Sequence, residues 1–493
     1  MSGKEDTWQG VCRRLFFRAE HRRLLVGAVG ASTIAGLRKP GMRYFLHSYG
    51  CQMNKLDSEL VEAKLRAAGY GAAATEADAD VVLLNTCSVR QHAEDRVWSK
   101  LGRLRLEKRH RPGLVVGVMG CMAEEHQRYL RARMPHVDLV VGPSAFGDID
   151  TQIAAVRRDG ARVTVGRGVS GDEILRDPRV RPHRSQAYVS IMRGCNMPCT
   201  YCIVPATRGA EISRPIETIA DEVRRLVDDG VCEVTLLGQT VNAYGRDLGR
   251  GVTLSALLRR LHELDGLRRL AFITSHPNFL SAELVAAIAG LPKVARYLHL
   301  PAQSGSNAVL KTMRRGYTVE RYLRRVEALW EQAPDVELHS DFIVGYPGEN
   351  DAQFAETVAL MERVRFAQSY VFKYSPRPGT VAADLVDDVP DAVKAERNAI
   401  LLEAQERHGH ARNRALVGTV QNVLVEGPSP RVPTRMTGRT THHRIVHFDA
   451  ADPALAGTFV DVRITEALPH SLIGQWTRAG GRAEDAPAQA SAT

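Results

Sequence analysis

Long apolar runs are missing from this chain. No stretch reaches the roughly 18 to 20 apolar residues that a membrane helix needs. The nearest, Leu24 to Leu37, is broken by Gly27, Gly30, Ser32, Thr33 and Gly36. Cysteine is scarce, with 8 in 493 residues, which excludes a disulfide-stapled scaffold. Aromatics make up only 6%, with 4 Trp, so nothing suggests an aromatic ligand cage. Gly (41) and Pro (23) show no collagen-like excess or period, and no internal repeat is found. What is present is ordinary for a folded protein: 44% hydrophobic and 25% charged residues. That argues against a mostly disordered chain, and the length fits about three domains. Lys+Arg (66) exceed Asp+Glu (56), a net charge of +10. Such a surplus favours polyanion partners, although plain solubility explains it as well.

Residues 1–41 carry Arg13, Arg14, Arg18, Arg22 and Arg23 ahead of the broken apolar run. This faintly resembles a signal or transit peptide. The favoured reading is a disordered leader, or a start codon assigned too early, because Met42 stands directly before the first clear strand. Over 42–150, β-prone runs (Arg43–Leu46, Val81–Leu84, Leu114–Met119, Leu139–Val141) alternate with helix-type patterns. That alternation predicts an open parallel sheet with helices on its faces. Residues 151–186 read as a linker. Over 187–412 about six βα units follow, fewer than the eight of a closed barrel, so a partial (βα)6 barrel is expected. Short strands separated by Gly and Pro over 413–478 predict a small β-barrel. The Ala/Gly-rich tail, 479–493, reads as disordered.

The sharpest feature is Cys195-Asn-Met-Pro-Cys199-Thr-Tyr-Cys202, three thiols directly after the strand Tyr188–Met192. A loop at the carboxyl end of a barrel strand is where such folds place chemistry. Three thiolates on a tight loop can hold three irons of a cubane cluster and leave the fourth open. Structural zinc and three unrelated thiols are the competing readings. Zinc commonly takes four closed ligands, and no second C-x-x-C pair follows. A second triad, Cys51, Cys87 and Cys121, is dispersed, but each member follows a predicted strand. In an open parallel sheet the carboxyl ends share one edge, so these thiols can meet in space. Gly50 and Gly120 immediately precede two of them and give the backbone room to turn. Buried structural thiols are the alternative. Cys12 belongs to the leader, and Cys232 reads as core packing.

Several stretches carry a resemblance. The C-x3-C-x2-C loop is similar to the signature of radical S-adenosylmethionine (SAM) enzymes. "SYGCQMNKLDSE", "LLNTCSVRQHAEDR", "VGVMGCMAE", "RGCNMPCTYCIVPATRG", "HLPAQSGS", "MRRGYT", "DFIVGYPGE" and "YSPRPGT" resemble the methylthiotransferases. The ending "VLVEGPSP…TGRTTHHRIVHF" resembles the TRAM domain. The likeness runs from about Met42 to Gly474. "GCQMN" is similar to the branch acting on isopentenylated adenosine in tRNA; the ribosomal-protein branch typically reads "GCPKN" there, and the threonylcarbamoyladenosine branch "GCKVN". Ala206 and Thr240 depart from the commoner Tyr and Asn, which questions neighbouring contacts.

The resemblance implies two [4Fe–4S] clusters, one on Cys195, Cys199 and Cys202 that chelates SAM, the other on Cys51, Cys87 and Cys121. It implies methylthiolation at position 2 of N(6)-isopentenyladenosine next to the anticodon, with SAM as radical source and methyl donor. Acid–base catalysis cannot easily open that C–H bond, and the cofactors carry the hard chemistry. Gln239 and Asn242, after the strand Glu233–Leu237, are expected to touch SAM, with loop hydrogen bonding as the alternative. Gly345 and Gly348 in "DFIVGYPGE" would let backbone approach the adenosyl group, or simply make a turn. His276 and His299 read as structural. Arg431, Arg435, Arg439, Arg444, His442 and His443 suit contacts to an RNA backbone. Expected partners are tRNA carrying isopentenyladenosine, an electron-donor protein and a sulfur donor, with no membrane and a monomeric chain. Cluster chemistry implies a reducing compartment, taken as the cytoplasm. The alternatives are another methylthio acceptor, threonylcarbamoyladenosine in tRNA or a ribosomal-protein aspartate, and a non-catalytic metal- and RNA-binding module.

Overall fold

Six parallel strands open the fold. In a computed structural model, which describes residues 41–88, 91–166, 176–450 and 452–477, they stand in the order Gly71–Ala72, Arg43–Ser48, Val81–Thr86, Val115–Gly120, Leu139–Val141 and Val163–Val165. The leader up to Pro40, with its Cys12, and the whole of the tail, 479–493, lie outside the described residues. The two central strands are buried along their whole length, so their sequences run apolar without alternation. Each face of the sheet carries its own core, one around Val82, Leu84 and Val116, the other around Val81, Leu83 and Leu139.

The segment read as a linker differs. Its start belongs to a helix, Ile149–Asp159, and Val163–Val165 is the sixth strand of the sheet. The strand is only three residues long and half-buried at an edge, too short for a periodic signal.

Two three-stranded parallel sheets follow: Gln186–Ser190, Glu233–Leu237 and Arg269–Phe272, then Tyr297–His299, Glu337–Val344 and Gln368–Lys373. A parallel bridge between Leu270 and Val294 joins them. The six strands thus run in chain order around an open, partial barrel. One large apolar core fills the space between strands and outer helices. The helices Ile216–Asp228 and Val319–Gln332 place Ile219, Val223 and Leu226, and Tyr322, Val326 and Leu329, on that core. Those spacings are the three- and four-residue steps of one helix face.

The long helix Asp391–Arg414 leads to a closed five-stranded barrel. Two of its strands, Arg435–Thr440 and Leu472–Trp476, are absent from the sequence reading. In the first, inward positions are Met436, Gly438 and Thr440, a set with little apolar signal. Gly438 is required there, because an added Cβ would sit 2.2 Å from Leu424 O. No helix among the described residues is long and apolar enough to cross a membrane.

Candidate active site

The strands carrying the dispersed triad, Arg43–Ser48, Val81–Thr86 and Val115–Gly120, are neighbours in the sheet. Cys51 caps the helix Gln52–Ala67, and Cys121 opens the helix Cys121–Glu125. Gly50 and Gly120 have positive φ (139° and 97°). A Cβ on Gly50 would lie 2.5 Å from Cys87 Cβ, and one on Gly120 2.5 Å from Thr86 O. These glycines therefore let adjacent strand ends close on one another. A hydrogen bond with Cys87 pushes the Cys51 thiol down to about 6, helped by the charge of Arg208. Arg208 Nε donates to Cys121 Sγ at 3.2 Å, and its Nη2 donates to Asp57 Oδ2 at 2.7 Å.

The compact triad sits on a pinned loop. Gly194 has φ +74°, and a Cβ there would meet Ala210 O at 1.9 Å. Cys195 N donates to Gly209 O, and Asn196 and Glu211 exchange backbone-to-side-chain bonds at 3.1 Å. Thr200 donates through its backbone to Met313 O and through Oγ1 to Thr312 O. Donors also reach the sulfurs. Met197 N donates to Cys195 Sγ at 3.4 Å, Thr240 Oγ1 lies 3.1 Å from the same sulfur, and Arg315 Nη1 donates to Cys199 Sγ at 3.2 Å. Thr240, a departure from the family's commoner residue, thus touches a candidate ligand directly.

Burial pushes the Cys202 thiol up to about 12, with Cys199 and Cys195 adding to the rise. Cys195 is raised for the same first reason. The raised Cys195 and Cys202 thiols resist ionising unaided, whereas metal coordination deprotonates a thiol outright. The donor set therefore fits a cationic iron–sulfur group. Among the described residues, the group of ligand-type side chains tight enough for a single ion is Glu94, Glu125 and His126, not a cysteine triad. There, Arg377 Nη1 already donates to Glu94 at 3.0 Å and supplies a counter-charge.

The barrel edge beside the compact triad holds unpaired polar atoms. Gln239 Oε1, Ser275 Oγ and Gln303 Oε1 are buried without a hydrogen-bond partner. Each follows a different barrel strand. Thr274 and Gln303 both adopt φ of 68°, a strained conformation that clusters at functional sites. Sequence reasoning missed Ser275, Gln303 and Arg315, because nothing in a local motif marks a polar atom left unpaired by tertiary packing. Asn242 makes the loop hydrogen bonds given above as the alternative. Its Nδ2 donates to His276 O at 2.9 Å, and its Oδ1 accepts from His276 N at 2.8 Å. These two bonds hold the neighbouring loop. His276 itself is pushed down to about 2 by burial and the nearby Arg315, a neutral structural ring. Gly345 serves packing too: an added Cβ would meet Lys394 Cγ at 2.3 Å.

The basic set on the small barrel divides. Arg439 pairs with Glu426 at 2.8 Å, Arg444 bonds Glu337 and Asn413, His442 bonds Asp335 O, and His443 stacks on Tyr297. Arg444, His442 and His443 therefore dock the barrel on the central domain, and Arg439 is tied to its own barrel. Arg435 pairs with exposed Asp449, and Arg431 is exposed. Cys232 also lies at this junction, with Sγ 3.7 Å from Gly457 O.

Buried Glu94 and Glu59 lie where the first sheet domain meets the arginines Arg377 and Arg176. Burial raises both carboxyls to about 7, against the partial counter-effect of those arginines. Between about pH 4.5 and 7 the folded chain therefore holds more protons than the unfolded one, so stability falls as pH rises through that window. Glu94→Gln removes one such cost. Its thermal stability relative to the parent is expected to improve between pH 5 and pH 8, by up to about 3 kcal/mol. Melting curves at the two pH values check this.

Residues 43–142 match the uncharacterized protein family UPF0004, residues 189–361 the radical SAM superfamily, and residues 414–477 the TRAM domain. A partial parallel barrel with a C-x3-C-x2-C loop at its carboxyl edge thus defines a radical SAM enzyme, a class that uses SAM and a [4Fe–4S] cluster. The chain is 44% identical over 454 residues to the tRNA-2-methylthio-N(6)-dimethylallyladenosine synthase of Rhodopirellula baltica, covering 87% of this chain and 95% of that relative. It is 46% identical over 439 residues to the synthase of the same name from Alkalilimnicola ehrlichii (88% and 97% covered), and 44% over 433 residues to that of Moorella thermoacetica (87% and 97%). The chain belongs to the family of tRNA-2-methylthio-N(6)-dimethylallyladenosine synthases.

Proposed function

We propose that this chain inserts sulfur and a methyl group at position 2 of N(6)-isopentenyladenosine beside the anticodon of tRNA, giving 2-methylthio-N(6)-isopentenyladenosine. The observation that supports the reading is the pair of cysteine triads, the second of which is reached by a side chain from the helix that follows the first. The helix Val204–Arg208, just after Cys202, ends in the arginine that reaches Cys121. Radical formation and sulfur insertion act on one carbon, so their sites must flank one base.

In this reading Cys195, Cys199 and Cys202 hold a [4Fe–4S] cluster with SAM, and Cys51, Cys87 and Cys121 hold a second. Bound there, these groups supply one-electron cleavage of SAM, hydrogen abstraction from an inert C–H bond, and the sulfur that replaces it. The chain's own residues do the rest. Met197 N, Thr240 and Arg315 hold the first triad's sulfurs in place. Gln239, Ser275 and Gln303 offer SAM their unpaired atoms. Asn242 keeps the neighbouring loop in register.

A cleft of about 460 Å³ beside the triad is lined by Asn196, Met197, Glu211, Arg246, Asp247 and Phe279. Arg246 lies over the Phe279 ring at 4.6 Å. An aromatic face and a guanidinium plane suit a base splayed from a single-stranded loop. Arg431 and Arg435, left outward on the TRAM barrel, suit the RNA backbone. An electron donor and a sulfur donor complete the reaction, and a monomer in the cytoplasm is the simplest setting.

The test is turnover. The anaerobically reconstituted chain, given SAM, a reductant and an anticodon stem-loop, is expected to methylthiolate the isopentenyladenosine form and leave the threonylcarbamoyladenosine form unchanged. The reverse preference would overturn the acceptor assignment.

A further inference from the structure

We propose that Arg208 is a positioning residue for the second triad: its cationic N–H, delivered across the domain boundary, sets the electron density on the Cys121 sulfur. The inference rests on the reading that Cys51, Cys87 and Cys121 hold a cluster.

The geometry is specific. Arg208 Nε donates to Cys121 Sγ at 3.2 Å while Nη2 donates to Asp57 Oδ2 at 2.7 Å. Both ends are nearly sealed from water, with side-chain exposures of 8% for Arg208 and 11% for Asp57. A planar guanidinium cannot lose its proton and offers donors in a fixed fork. One edge is locked on the carboxylate, so the Nε–H aimed at the sulfur is held in direction. Asp57 lies on the helix capped by Cys51, and Cys121 opens its own helix. Arg208 itself belongs to the central domain and ends the short helix behind Cys202. One side chain from the central domain therefore holds both the helix capped by Cys51 and the helix opened by Cys121.

The compact triad repeats the device. Buried Arg315, also remote in sequence, donates Nη1 to Cys199 Sγ at 3.2 Å. In both triads a fixed guanidinium reaches one sulfur. Hydrogen bonds to cluster sulfurs and local net charge are levers on reduction potential. A cationic donor withdraws electron density from the sulfur and makes the reduced cluster easier to form. Asp57 opposes this with its own charge. Arg208 and Asp57 should therefore move the potential in opposite directions, which a merely structural ion pair would not do.

The experiment uses the full chain with Cys195, Cys199 and Cys202 all replaced by Ala, so that the second triad is read alone. The chain is reconstituted anaerobically with iron and sulfide and titrated by EPR-monitored potentiometry. In this background, Arg208→Met is expected to shift the midpoint to more negative potential. Arg208→Lys should recover part of the shift, and Asp57→Asn should shift it to more positive potential. Equal midpoints in parent and Arg208→Met, or shifts of the same sign in Arg208→Met and Asp57→Asn, would overturn the inference while leaving the cluster assignment standing. If Arg208→Met fails to fold, Arg208→Lys and Asp57→Asn decide by the signs of their shifts. A parent that takes up no cluster would instead refute the triad reading, and the inference with it.

Discussion

Replacing Cys199 with Ala is expected to abolish SAM cleavage while tRNA binding survives. Cys199 occupies the middle of a loop pinned at Gly194, Cys195 and Thr200. Its loss leaves two sulfurs for a cluster that needs three protein ligands to keep one iron open. The loop's anchors do not pass through the Cys199 side chain, apart from the bond from Arg315. Local structure should therefore persist, and the TRAM barrel, docked through Arg444, His442 and His443 on other residues, is untouched. The expected size is complete: 5′-deoxyadenosine release falls to the level without enzyme, while the Kd for tRNA by filter binding changes less than about threefold, under 1 kcal/mol. Retained cleavage would remove these cysteines from the radical site.

Replacing Cys87 with Ala is expected to do the opposite to the two half-reactions. SAM cleavage continues, and sulfur insertion stops. Cys87 is 1% exposed and sits between the strand ends that carry Cys51 and Cys121. It is the partner that lowers the Cys51 thiol, so its removal takes away one proposed ligand and perturbs another. Trimming one sulfur from a core site costs stability by about 1 kcal/mol, too little to unfold the domain. With isopentenylated tRNA and SAM present, 5′-deoxyadenosine should form without methylthio product. Loss of both reactions together would mean that the two triads serve one site rather than two.

The legible parts of the fold were those with strong periodicity. The six barrel strands and the helices Ile216–Asp228 and Val319–Gln332 follow from apolar spacing alone. Helix Ala282–Gly290 did not, because its apolar residues almost encircle it and blur the pattern. Val163–Val165 and Arg435–Thr440 were hidden by shortness and by polar inward positions. Within the candidate site, the six proposed cysteine ligands stand out in the sequence, because thiol spacing and strand-end position carry chemistry in the chain itself. The sulfur donors were not. Arg208 is 151 residues from its partner Asp57, and Arg315 is 116 from Cys199. The basic residues of the TRAM barrel show the converse. Their composition suggested one RNA face, but burial against Tyr297 and Glu337 turns several of them inward. Charge in a sequence does not say which side of a barrel faces water.

Nucleoside mass spectrometry of bulk tRNA, from cells with and without this gene, tests the central claim most directly. Deletion should remove 2-methylthio-N(6)-isopentenyladenosine and leave N(6)-isopentenyladenosine in its place, and the gene restored on a plasmid should return the methylthio form. An unchanged profile in a strain with no second gene of this family would contradict the assignment of tRNA isopentenyladenosine as the acceptor.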